Sequence, residues 1–269
     1  MNSLRRLQED WDHLAQLDPL GAICTDPQKD GRKWVPEEFF RTGVREIQTV
    51  LNYVQSLGLG ADCKLPALDF GCGVGRLTSA LSNYFDECWG VDIAPTMIEL
   101  AKKFHHDNSR CKFLLNQSDH LRSFPDGTFG FIYSSIALQH MKQEYVRRYL
   151  LEFVRALKPG GILVFQVADR NSLTRRIRNF VGIRRRMNRL LGRKISPVLL
   201  MEMHYIQEHK IRELLSVQDV RIVDVKLTNS TSPDFNGNLQ FLQEAPEHGL
   251  VSKQYCVVKN SKDGNADRV

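Results

Sequence analysis

Between residues 65 and 167 five short apolar runs alternate with stretches of helical periodicity, and no other feature of the 269-residue chain restricts its fold so strongly. The runs are LPALDF (65–70), ECWGVD (87–92), CKFLL (111–115), FGFIYS (129–134) and GILVFQV (161–167). Each has the length of a strand, and each is followed by enough residues for a crossover helix. Strands that read as nearly continuous apolar runs are buried on both faces, and strands joined by helices run parallel. The spacing predicts helices over RLTSALSNYF, over APTMIELAKKF with Pro95 in the first turn, and over 144–157. Two later runs, VRIVDVKL (220–227) and KQYCVVK (253–259), supply closing strands.

Ahead of the alternation, Leu4, Leu7, Trp11, Leu14 and Leu17 fall on one stripe of a short helix. A second helix over 37–57 carries Phe40, Val44, Ile47, Val50, Leu51 and Val54 and stops at Gly58. The expected organisation is a helical cap or lid over 1–60, one α/β domain over 61–259 and a disordered polar tail over 260–269. The six cysteines are scattered without metal-ligand spacing, so free thiols and no metal are expected. The N-terminus has no continuous apolar run, which predicts a cytoplasmic protein.

The turn after the first strand reads LDFGCGVGR. Asp69 closes the strand, and Gly71, Gly73 and Gly75 let the chain bend sharply. Bare backbone N–H groups can then approach a polar ligand at the positive end of the next helix. The spacing is GxGxG; a dinucleotide fingerprint needs a further glycine where this chain has Arg76. About 20 residues on, Asp92 ends the second strand, at the distance where a carboxylate can accept from ribose hydroxyls.

With these residues in view the chain resembles the class I S-adenosylmethionine-dependent methyltransferases. VDIAPTMIELAKK, FPDGTFGFIYSSIALQHM and LKPGGILVFQV extend the resemblance over 65–167. It implies a Rossmann-like, doubly wound, seven-stranded sheet, mostly parallel with one antiparallel strand, together with the N-terminal helices and a basic helical insert over 170–200. By resemblance Asp69, Gly71, Cys72, Gly73 and Gly75 hold the methionine portion of S-adenosylmethionine and Asp92 its ribose, while the residue beside Ile93 lines the adenine. Asp119, or Ser118 one residue earlier, corresponds to the acidic position near the adenine amine. Arg76, Ile93, Met97 and Ser135 complete the expected cofactor-binding set. The chain departs from the family at Gly130, where an Asp is frequent.

Methyl transfer asks the protein mainly for alignment and for exclusion of water. A hydroxyl acceptor also needs a base. His140, beyond the fourth strand, is the candidate, with a packing role as the alternative; Tyr133, Gln139 and His204 are weaker ones. Trp34, Phe39 and Phe40 are expected either to fold over the cofactor as a lid or to serve as ordinary core.

The net charge of +6 is concentrated, because ten basic residues lie between Arg170 and Lys194 with no acid among them. This insert reads as a solvated helix, as an arginine lid for an anionic small-molecule acceptor, or as a dock for an anionic membrane surface. Nucleic acid ranks last, since no aromatics are interleaved. The expected activity is methylation of a small-molecule, sugar or lipid-precursor acceptor, probed against two others: a cofactor-binding scaffold without turnover, and an NAD-dependent oxidoreductase, which Arg76 disfavours.

Overall fold

The computed structural model describes residues 3–29, 31, 33–169, 202–232, 235–246 and 250–261. The insert over 170–200 and nearly all of the tail lie outside the described residues. In chain order the elements are α1 (Ser3–Leu17), α2 (Pro19–Ile23), α3 (Pro36–Ser56), β1 (Ala67–Phe70), α4 (Arg76–Leu81), β2 (Cys88–Asp92), α5 (Pro95–Phe104), β3 (Cys111–Leu115), β4 (Phe129–Ser134), α6 (Gln143–Ala156), β5 (Leu157–Ala168), α7 (Glu208–Ser216), β6 (Val220–Thr228), β7 (Phe241–Leu242) and β8 (Ser252–Lys259).

They form one sheet of order β3-β2-β1-β4-β5-β8-β6-β7. Strands β1 to β5 are mutually parallel, and β8 inserts antiparallel to both β5 and β6. The doubly wound sheet is as expected except at one edge. It has eight strands and not seven, because Phe241 and Leu242 pair antiparallel with Thr228 and Leu227. Two residues are too few to show a period of 2, which is why the edge strand left no pattern in the sequence.

Strand alternation divides the core. Phe131, Tyr133, Ile162 and Val164 face α3 and α4, together with Ile47, Val50, Leu77 and Leu81. Ile132, Leu163 and Phe165 face α6 and α7, together with Tyr149, Phe153, Ile211 and Leu215. The N-terminal helices are therefore built into the main core, with α3 covering one sheet face. A Cβ added to Gly43 of α3 would stand 2.3 Å from the Arg76 carbonyl oxygen, so the α3–α4 contact needs glycine there.

After β1 the chain winds outward through β2 and β3, then returns to lay β4 on the other side of β1. The order reverses between β1 and β4, and doubly wound sheets open a ligand crevice at the carboxyl ends of such strands. All six cysteines are free. Among the described residues no helix is long and apolar enough to cross a membrane, and no group of side chains could hold a metal ion.

Candidate cofactor and acceptor cleft

The reversal opens a cleft between the N-terminal helices and the loop after β4. Its floor is the turn after β1. Gly71 and Gly73 have φ of 79° and 52°, in the left-handed region. A Cβ on Gly71 would lie 2.2 Å from the Ala137 Cβ, and one on Gly73 would lie 2.4 Å from Ile23 Cδ1. At Gly71 the neighbour cannot withdraw, whereas at Gly73 it is the tip of a flexible side chain; at both the left-handed backbone favours glycine. Gly75 serves another purpose: its absent Cβ makes room for His105 and Phe113, away from the cleft.

Asp92 stands beside this turn and lines the cleft. Its carboxylate accepts from the Gly73 N–H (2.8 Å) and the Ala94 N–H (2.9 Å), which ties the end of β2 to the glycine turn. Burial raises its carboxyl above the ordinary carboxylate value, while those backbone donors pull the other way.

Asp69 is different. Alternation along β1 turns it toward α4, where Thr78 Oγ1 donates to it at 2.7 Å. It is fully buried and absent from the cleft wall. Burial pushes its carboxyl up to about 7, against the lowering effect of Thr78.

Of the other sequence-predicted residues, Cys72, Arg76, Ile93, Met97, Ser135 and His140 line the cleft; Asp69, Gly75 and Asp119 do not. Asp119 forms an ion pair with Arg148 of α6. The polar groups beside the cleft on that side are Asn116 and Tyr149. The Asn116 N–H donates to the Asp92 carbonyl (2.8 Å), and Tyr149 donates its hydroxyl to the Ser118 carbonyl (2.5 Å). Neither carried a motif signal, since an Asn after a strand and a Tyr inside an amphipathic helix are ordinary.

Arg76 reaches away from the cleft into the protein. Its guanidinium lies 2.7 Å from Glu46 of α3 and donates to Thr42, and the Tyr133 hydroxyl donates to the other Glu46 oxygen at 2.8 Å. Burial opposes the arginine's charge, and Glu46 more than offsets it. Gly130 has a packing reason for departing from the family, because a Cβ there would stand 2.7 Å from the Leu65 Cβ.

The N-terminal segment roofs the cleft with Leu7, Trp11, Ala22 and Ile23. Trp34 and Phe39 sit behind this roof in a cluster with Leu14, Val74 and Met97, and Phe40 packs against it. The helical stripe of α1 was legible in the sequence; which of its residues meet the cleft was not. Asp12 of α1 also accepts from the Thr96 N–H at 2.8 Å, satisfying an open donor at the start of α5.

The opposite wall is the loop after β4, contributing Ser135, Ile136, Ala137, His140 and Met141. His140 is buried; its Nδ1 lies 2.9 Å from the Glu202 carbonyl oxygen and its Nε2 lies 3.4 Å from Gln139 Nε2. Burial depresses its pKa to about 4, so the ring is neutral at pH 7. Among the weaker candidates, Tyr133 is committed to Glu46, Gln139 is buried behind His140, and His204 pairs with Glu202 at 3.5 Å.

Comparison with known proteins accords with this geometry. The sequence model of a family described as a methyltransferase domain matches residues 68–165. The chain is 34% identical over 131 residues to 2-methyl-6-phytyl-1,4-hydroquinone methyltransferase of Synechocystis sp., covering 46% of this chain and 40% of that protein. It is 31% identical over 110 residues to demethylmenaquinone methyltransferase of Tropheryma whipplei, covering 39% and 43%. The chain thus spans about two fifths of these relatives.

In structure it is similar to magnesium protoporphyrin IX methyltransferase from Synechocystis with bound SAH (TM-score 0.56, 16% identity, 86% of this chain and 90% of that one). It is also similar to a SAM dependent methyltransferase from Aquifex aeolicus (TM-score 0.52, 15% identity, 87% and 98%). These two are likenesses of fold. Strand order, glycine turn and family match agree on residues 68–165: this stretch matches a methyltransferase domain, and the sheet that contains it has the fold of S-adenosylmethionine-dependent methyltransferases.

Proposed function

We propose that this protein transfers a methyl group from S-adenosylmethionine to a small-molecule acceptor held in the cleft between α1 and the loop after β4. The observation that carries the reading is the pairing of Asp92 with a turn whose Gly71 and Gly73 hold left-handed backbone that favours glycine. The donor set suits the cofactor: backbone at the glycines for its methionine portion, the Asp92 carboxylate for ribose hydroxyls, and Ile93 with Met97 as apolar surface for adenine. Asn116, at the cleft wall, suits the adenine end better than Asp119, which is engaged by Arg148. When bound, the cofactor supplies an activated sulfonium methyl; the protein's part is orientation and a dry cleft.

The acceptor side is lined by Leu7, Trp11, Ile136, Met141 and the neutral His140. These surfaces favour an apolar or ring-bearing acceptor, in keeping with relatives named for hydroquinone and menaquinone substrates. With both ring nitrogens near protein groups and a depressed pKa, His140 suits a wall better than a proton acceptor.

An anionic substituent on the acceptor is a second reading. The ten basic residues of 170–194 lie in sequence between Asp169 and a segment beside the cleft, where the Glu202 carbonyl meets His140 and the His204 N–H donates to the Gln139 carbonyl.

The deciding experiment is incubation with methyl-labelled S-adenosylmethionine and fractionated cell extract. Label in a small-molecule fraction supports the reading. Cofactor binding with no labelled fraction points to a scaffold. Binding of NAD in place of S-adenosylmethionine sinks it.

A further inference from the structure

Behind the cleft wall runs a line of buried amides that the cofactor motifs leave unused. It begins at Ile136, whose φ of 63° puts a β-branched residue in the left-handed region. Such a residue is strained there unless its surroundings hold it. The Ile136 N–H donates to Gln166 Oε1 at 3.0 Å, and Gln166, on β5, is completely buried.

Donor and acceptor roles then follow in order. A backbone N–H can only donate, so the Gln166 atom facing it is the oxygen. The Gln166 nitrogen therefore donates, to Gln139 Oε1 at 3.1 Å and to Ser252 Oγ at 2.7 Å. Because the Gln139 oxygen is taken, its nitrogen is the atom 3.4 Å from His140 Nε2. An amide nitrogen donates, so Nε2 must carry its lone pair. The single proton of the neutral ring is left on Nδ1, which donates it to the Glu202 carbonyl at 2.9 Å.

We propose that Gln166 is a positioning residue: it holds Ile136 in its left-handed turn and, through Gln139, fixes His140 as the neutral Nδ1–H tautomer. This rests on the reading of the cleft as a methyl-transfer site, where the donor is a sulfonium cation and an imidazolium close by would repel it. The charged and titratable groups around His140 are Arg6 on α1 with Glu202 and His204 on the returning segment. Arg6 and His204 both lie against the Glu202 carboxylate, at 3.8 and 3.5 Å. Trp11 covers the ring edge-on. The side chains of these groups leave the tautomer open; the Glu202 backbone carbonyl, which can only accept from Nδ1, and the amide line, which donates to Nε2, select the same one.

The test is imidazole nitrogen NMR on protein loaded with S-adenosylhomocysteine. In the wild type, His140 should show the neutral Nδ1–H pattern from about pH 5.5 to about 8. Gln139→Glu sets an acceptor-only group against Nε2 and should raise the His140 titration midpoint by about 2 units or more. Gln166→Glu can still accept from Ile136 but offers Gln139 no donor. The Gln139 amide should turn over, and the His140 midpoint should rise in the same sense.

Gln166→Met should quicken hydrogen exchange at the Ile136 amide about tenfold or more, an effect absent from Gln139→Glu. A wild-type Nε2–H tautomer, or an unchanged His140 spectrum in a folded Gln139→Glu protein, would overturn the proposal. Failure of the wild type to bind S-adenosylhomocysteine would instead overturn the cofactor reading, leaving the tautomer series to be read on the unloaded protein.

Discussion

Trp11, near the start of the chain, meets His140, beyond β4, edge to face with ring centroids 5.0 Å apart and planes at 71°. Both line the cleft from opposite sides, so this contact closes the roof onto the wall. An aromatic pair contributes about 0.5–1.5 kcal/mol beyond the area it buries. Trp11→Ala is expected to lower stability by about 1–2 kcal/mol in urea titration. It should also speed S-adenosylhomocysteine dissociation by about tenfold, as loss of a lid contact does. Trp11→Phe should restore most of both. Unchanged dissociation would remove α1 from the closure.

The two cleft glycines should fail in different ways. At Gly71 an added methyl meets Ala137 of the wall loop, which has no side-chain freedom to withdraw. At Gly73 it meets the tip of Ile23, a flexible side chain in the roof. Both substitutions carry positive-φ strain of about 1 kcal/mol. Gly71→Ala should therefore lose more stability than Gly73→Ala, by roughly 1–2 kcal/mol. Gly73→Val should fold and lose cofactor binding. Thermal melts with calorimetry of S-adenosylhomocysteine separate the two; a greater loss at Gly73 would contradict the contact geometry.

Arg76 and Glu46 form a pair with almost no solvent exposure, 2% and 0%, shared with Tyr133. Removing one partner strands a buried charge and costs about 3–5 kcal/mol. Arg76→Met alone should approach that loss, whereas Arg76→Met combined with Glu46→Leu should recover much of it. Equal denaturation midpoints for the single and double variants would mean that the pair contributes no coupling.

Two buried groups give opposite pH dependences. Asp69, raised from 3.8 to about 7, keeps its proton in the folded chain while the unfolded chain has lost it, so its contribution falls as pH rises across that window. His140, lowered from 6.5 to about 4, is neutral when folded while the unfolded chain is protonated, so its contribution falls as pH drops from 6.5 toward 4. Each is worth at most about 3–4 kcal/mol, and they oppose each other. Wild-type stability should vary little between pH 4.5 and 6.5. Asp69→Asn should uncover a rise with pH, and His140→Gln a fall, in urea midpoints; parallel profiles for all three proteins would contradict both assignments.

The basic stretch can be tested without reference to its conformation. Changing Arg184, Arg185 and Arg186 together to Gln should leave S-adenosylmethionine affinity within about a factor of two, since every cofactor motif lies earlier in the chain. Once an acceptor is in hand, its KM should rise and lose salt dependence, because screening acts on exposed charges. An unmoved KM would return the arginines to ordinary surface.

The sequence by itself determined the parts that depend on neighbours along the chain. Apolar runs of strand length between helical stretches dictated the parallel sheet, and the glycine turn with Asp92 marked where a ligand would sit. These are local signals, because burial on both faces and tight turns restrict residue type at each position. Only the tertiary structure decided which side chains reach the cleft. Asp69 lies one residue before the end of β1 and Asp92 ends β2, yet one faces Thr78 of α4 and the other meets Gly73, a difference fixed by pleat and crossover. Arg76 follows the glycines and spends its charge on Glu46, 30 residues earlier. Trp11, Asn116, Tyr149 and Gln166 carry ordinary helix or strand patterns and gain their roles from partners far along the chain. Such pairings leave no period in a sequence, since they come into being only when the sheet closes and buried donors must find acceptors.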